Sequence, residues 1–241
     1  MTTAPPAPSR RTRRRTRRRA TVGSVLGELF VTAGVLVFLY LFWQLWFNDM
    51  VVRAQQDGAG QSLIQEWEQN PLPEPAGTDP VVPARPGDGE VFALLKIPRF
   101  GEDYAVQIGG GVSKARTLNP IGLGHYDSTQ LPGEPGNFAL AGHRNTYGAP
   151  LKEMTTLRVG DEINVETPAG TFTYRFRNSE YVLPSGSGVL KPVPQADTVE
   201  TSDSLITLTS CNPQMSTAER IIGYGVFEKW TPRAASGTDT Q

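Results

Sequence analysis

Cysteine is almost missing from this chain: Cys211 is the only one in 241 residues. One thiol excludes an internal disulfide, so Cys211 is either a small buried hydrophobe or a reactive nucleophile. Histidine is nearly as scarce, with only His125 and His143. No H-E-x-x-H pattern occurs, and no acidic loop has recognisable calcium-ligand spacing, so the expectation is no metal and no cofactor. No internal repeat is visible, and helical periodicity is weak beyond the N-terminal quarter.

Net positive charge is also lacking. The formal charge of -1 hides an asymmetry, because eight arginines lie between Arg10 and Arg19 while 15 basic and 23 acidic residues follow from Asn48 onward. The acidic excess excludes a nucleic-acid-binding domain. Residues 1–21 are rich in Pro, Thr and Arg without apolar periodicity, and read as a disordered cytoplasmic tail.

What is abundant comes next. Residues 22–47 form an almost unbroken apolar run, at least as long as the roughly 20 residues a helix needs to cross a bilayer. The arginine cluster on one side predicts that the N-terminus stays in the cytoplasm, and Trp43, Trp46 and Phe47 resemble an outer aromatic belt. A cleaved signal peptide competes with this reading, but the apolar core is long for one and no convincing small-x-small site follows it. Glu28 fits near the inner interface, where it stays hydrated or pairs with the arginines. The predicted location is a single-pass plasma-membrane protein whose remaining chain is extracellular.

Residues 48–89 read as a Pro- and Gly-rich extracellular linker with one short helix around Ser62–Gln69. The globular domain is expected at 90–232, followed by a small polar tail at 233–241. With 25 glycines and 20 prolines in the chain, turns are plentiful. Strand signals fall at Val91–Ile97, Tyr104–Ile108, Asn137–Ala141, Glu162–Thr167, Thr171–Arg177, Glu180–Leu183, Leu205–Cys211 and Arg220–Trp230. Short helical pieces are expected at Val112–Leu118 and Leu151–Leu157. Eight short strands between Gly/Pro turns predict a mostly β fold, a closed or nearly closed β-barrel.

The chemistry concentrates in Leu205–Gly225. Leu205–Ser210 reads as a strand that Asn212-Pro213 terminates, leaving Cys211 at its end. Arg220 opens the next strand, so a hairpin-like return would bring guanidinium and thiol together. An ordinary thiol, with a pKa of about 8.5, is mostly protonated at neutral pH and needs an imidazole or a positive charge nearby. His143, emerging after the apolar NFALA run, is the first choice; His125 sits in a Gly-flanked loop. Arg220, permanently charged and rich in donors, suits an oxyanion or a substrate carbonyl.

TLTSC (Thr207–Cys211), Arg220 nine residues later and LAGHR (Leu140–Arg144) upstream resemble the signature of the sortases, membrane-anchored cysteine transpeptidases. The likeness spans roughly Glu90–Trp230 and implies an eight-stranded sortase-type barrel. It also implies that Cys211 attacks the bond after Thr in an LPXTG-like signal, with His143 as general acid/base and Arg220 as stabiliser. GHY, PGEPGNFALAGHR (Pro132–Arg144) and CNP are most similar to class E sortases of actinobacteria, which prefer LAXTG. That resemblance implies a substrate groove near Tyr126, His125, Thr209 and Ser210. Ser210 departs from the usual Thr, keeping the hydroxyl and losing the methyl. The implied partners are secreted proteins carrying the sorting signal and a peptidoglycan precursor amine. A pilus-polymerising sortase and a non-catalytic membrane-tethered barrel remain as alternatives.

Overall fold

The structure is a computed structural model that describes residues 21–44, 48–70, 72, 79–196 and 201–233. The basic tail, Trp46, Phe47, residues 71 and 73–78 of the Pro-rich stretch and the last eight residues lie outside the described residues. The chain divides into two compact units, up to Gln44 and from Leu45 onward.

The first unit contains helix α1 (Val22–Phe42), long and apolar enough by length and composition to cross a membrane. Every residue of α1 is exposed, so its side chains have no protein core to enter. Trp43, just past the helix, stacks on Tyr40 with ring centroids 6.4 Å apart.

The second unit is a closed barrel of eight strands among the described residues. The strands are β1 (Val91–Lys96), β2 (Val106–Gly110), β3 (Gly122–His125), β4 (Gly136–Gly142), β5 (Glu162–Glu166), β6 (Gly170–Val182), β7 (Ser204–Asn212) and β8 (Glu219–Pro232). Around the barrel the order is β1-β2-β3-β4-β7-β8-β6-β5. Two pairings are parallel, β2 with β3 and β4 with β7, and the others are antiparallel.

The eight-stranded expectation holds, although two individual strands were read differently. β3 has the sequence GLGH, whose glycines conceal a strand, and β6 is a single strand where two were expected. The polar, exposed stretch inside β6 lies beside a register shift between Phe176 and Asn178 against β8. There the alternation that marks a half-buried strand is lost. The two short helical expectations correspond to a turn of π-helix at Lys114–Leu118 and a 3₁₀ segment at Lys152–Thr156.

Alternation builds the core. β5 buries Ile163 and Val165 between Glu162, Asn164 and Glu166, as expected of a strand with one wet face. β4 is buried throughout because its outer face is covered as well: Asn137 donates Nδ2–H to the carbonyls of Val189 (2.9 Å) and Lys191 (3.1 Å) in the β6–β7 connection. Phe138, Leu140, Phe172, Tyr174, Ile206 and Leu208 meet inside the barrel. Each such side chain contributes about 1.5–3 kcal/mol on full burial.

The expected linker contains a long helix. α2 spans Asn48–Gln69, far beyond the short Ser62–Gln69 piece. Gly58 and Gly60 in DGAG argue locally against helix, yet Gly60 is required: a Cβ there would lie 2.1 Å from the Ala105 carbonyl oxygen. Ile64 packs with Leu94 and Ala105, flanked by Leu63 and Trp67. The helix thus docks on the barrel through Gln56, Gly60 and Ile64, a stripe of one large apolar residue and two that give no hydrophobic signal. Further along, Arg85 donates to the carbonyls of Asp127 (2.8 Å) and Thr129 (3.1 Å), tying part of the Pro-rich segment to the β3–β4 loop.

Candidate active site

The β4–β7 ladder runs in register from Gly136↔Ser204 to Ala141↔Thr209. Ser210 extends it by donating Oγ–H to the Gly142 carbonyl at 2.8 Å. Continuing the register by one step brings His143 level with Cys211. On the other side β7 pairs with β8, with Cys211 directly opposite Arg220. Residues directly opposite in an antiparallel pair present their side chains on the same face. His143, Cys211 and Arg220 therefore lie at one end of three adjacent strands, and all three residues are partly exposed.

His143 is held by a partner that no motif marked. Its Nε2 lies 2.8 Å from Asn119 Oδ1. An amide oxygen only accepts, so Nε2 carries the proton and Nδ1 keeps its lone pair. The Tyr147 ring lies beside the imidazole, tilted by 32° with centroids 5.2 Å apart. Burial pushes the His143 pKa below its ordinary 6.5, Lys114 pushes the same way, and Asp49 of α2 opposes both. The ring is thus biased toward its neutral, proton-accepting form.

Arg220 donates Nη1–H to the carbonyls of Glu219 (2.9 Å) and Thr217 (3.1 Å). These bonds orient the guanidinium and leave further N–H groups for a ligand. A second arginine, also unmarked in the sequence except as the last letter of LAGHR, lies behind the site. Arg144 is only 4% exposed. It donates to the carbonyls of Lys152 (3.2 Å) and Cys211 (3.4 Å) and to Asn212 Oδ1 (3.2 Å). Asn212 Nδ2 in turn donates to Glu219 Oε2 at 2.9 Å. Arg144 clamps the Cys211 end of β7 to the segment that carries His143.

The four residues expected along a substrate groove have separate fates. Tyr126 is partly exposed, and its hydroxyl lies 3.2 Å from Thr209 Oγ1. Thr209 uses its proton on the Leu140 carbonyl at 3.1 Å, so Tyr126 is the donor. Thr209 and Ser210 are 5% and 3% exposed, and their hydroxyls tie β7 to β4. His125 is fully buried beside Phe138 and Phe92, and its Nε2 sits 2.9 Å from the Gln130 carbonyl oxygen. The ring has no exposed surface and packs within the barrel wall.

A sortase-domain family profile matches residues 95–228, which contain His143, Cys211 and Arg220. The chain belongs to the sortase family. This sortase is 35% identical over 237 residues to Sortase SrtE1 of Streptomyces coelicolor, a match covering 95% of this chain and 64% of that protein. The chain thus spans a little under two thirds of that relative's length. Among solved structures, SrtF sortase from Corynebacterium diphtheriae is similar at a TM-score of 0.60 and 29% identity, covering 69% of this chain and 98% of the other. Sortase E1 from S. coelicolor, solved with a tripeptide in its active site, is similar at a TM-score of 0.57 and 36% identity, covering 64% and 98%.

Proposed function

We propose that this sortase is a membrane-anchored, class E-like cysteine transpeptidase acting on secreted proteins with an LAXTG- or LPXTG-type signal. The observation that carries the reading is the register: β4, β7 and β8 are neighbours, and their ends align His143, Cys211 and Arg220. In the first step His143 Nδ1 takes the thiol proton while sulfur attacks the carbonyl carbon of the signal's Thr. Arg220 stabilises the negative charge that develops on the carbonyl oxygen. The peptide C–N bond breaks, His143 returns its proton to the leaving amine, and a thioester remains on Cys211. A peptidoglycan precursor amine then attacks the thioester and frees the thiol. Tyr126, whose hydroxyl reaches over Thr209 two residues before Cys211, borders the peptide path.

The test uses the full chain in detergent with an LAXTG peptide and a diamino acid or oligoglycine nucleophile. Ligation product is expected from wild type and none from Cys211→Ala. Equal ligation by the two would overturn the reading. A non-catalytic barrel with an inert thiol would resist a small electrophile until unfolded, whereas this site predicts alkylation of the native protein.

A further inference from the structure

The turn that follows His143 has an unusual backbone. Tyr147, Gly148 and Ala149 all have positive φ, at 52°, 78° and 47°. Left-handed geometry in two non-glycine residues of a consecutive three is costly and persists where the surroundings impose it. The surroundings here are α2. Gln56, 5% exposed, donates Nε2–H to the Tyr147 carbonyl at 3.1 Å. Its side chain fills a slot between two glycines. A Cβ on Gly148 would lie 2.4 Å from Gln56 Oε1, and one on Gly122, just after the Asn119 that holds His143, would lie 3.4 Å from the Gln56 amide. Both glycines have positive φ, 78° and 115°. Gln56 therefore bonds the turn bearing Tyr147 and lies beside Gly122 at the start of β3, three residues after Asn119.

We propose that α2 is a brace for the catalytic histidine, in which Gln56 acts as a positioning residue that holds the 147–149 turn and, through the Tyr147 ring, fixes His143. The inference rests on His143 being the general acid/base. It makes the segment directly following the membrane helix in sequence, separated from α1 by residues 43–47 alone, a part of the catalytic unit rather than a tether. The charges that act on His143 come from two elements: Lys114 on the β2–β3 connection and Asp49 on α2.

The experiment measures ligation against pH, together with Tm, for full-length protein in detergent micelles. Gln56→Ala is expected to lower kcat roughly tenfold or more with little change in KM, the scale at which a small misplacement of a catalytic group acts. Releasing the ring to solvent removes the burial that lowers its pKa, so the acidic limb of kcat/KM moves to higher pH. Asp49→Asn removes the one opposing charge, and the limb moves to lower pH. Gly148→Ala, which pushes the turn off Gln56 from the opposite side, is expected to reproduce Gln56→Ala. Wild-type kcat and an unmoved limb in Gln56→Ala and Gly148→Ala would overturn the brace, as would a kcat loss that merely tracks Tm with the limb unmoved. His143→Ala separates the two readings: if it still ligates, the catalytic assignment has failed, and if it is dead while the other variants behave as wild type, the brace alone has failed.

Discussion

At the scale of single residues, Asn119 decides which nitrogen of His143 keeps its lone pair. By accepting from Nε2 it leaves Nδ1 free and keeps the ring from rotating about its last torsion. Asn119→Ala is expected to lower kcat/KM by roughly ten- to a hundredfold, part of the ~10²–10⁴ a positioned general base contributes. Asn119→Asp keeps the acceptor and adds a negative charge, so it should retain more activity and shift the acidic limb to higher pH. Equal losses in both variants would argue that the residue only fills space. Ser210, the position where the sequence departs from the usual Thr, has its hydroxyl committed to the Gly142 carbonyl inside the wall. The departure therefore touches the seam between the Cys211 and His143 strands, and a Ser suffices for the bond that keeps the seam in register.

At the scale of elements, β3 carries a buried titratable group. Burial lowers the His125 pKa below 6.5, outweighing the opposing bond to the Gln130 carbonyl, and its Nδ1 has no partner. The folded state thus favours neutral His125, while the unfolded chain binds a proton near the ordinary value. The resulting contribution to stability is complete above about pH 6.5 and is lost as pH falls from there toward the folded-state value. His143 shifts in the same direction and adds to the trend. Between about pH 7.5 and about pH 5 the Tm of wild type should fall, and His125→Phe should fall less over the same interval. Parallel declines would place the acid sensitivity elsewhere. The elements also differ in how readable they are. β5 and β7 announce themselves through alternation and β-branched residues, whereas β3 is half glycine and α2 docks through Gln56 and Gly60.

At the scale of the whole molecule, α1 and the barrel belong to separate compact units, and the arginine cluster precedes α1 in sequence. The positive-inside rule predicts the barrel on the outer side, and the single cysteine makes this measurable. A membrane-impermeant maleimide added to intact cells should label Cys211, and a Thr3→Cys reporter in a Cys211→Ala background should be labelled only after permeabilisation. Labelling of Cys211 only in permeabilised cells would reverse the orientation. The same cysteine shows how much of the site was legible in advance. Cys211 and His143 stand out because cysteine and histidine are rare in this chain, and Arg220 because it opens the strand that follows the cysteine. Asn119, Arg144 and Gln56 do not, because an amide or an arginine in a loop has no periodicity and no special reactivity until its partner is known.

The sequence alone determined what depends on local composition and covalent order. It specified an apolar run long enough for a bilayer, a charge asymmetry across that run, enough alternating segments for a β-barrel, and one thiol with no disulfide partner. Tertiary structure decided what depends on contacts between residues distant in the chain. The parallel β4–β7 ladder brings the end of β4 that precedes His143 beside the Cys211 end of β7, Asn119 selects the tautomer across 24 positions, and Gln56 reaches the His143 turn across 91. The physical reason is the same each time. Alternation and hydropathy are written into neighbouring residues, whereas a buried hydrogen bond is specified by both of its ends and becomes visible only when the fold has brought them within reach.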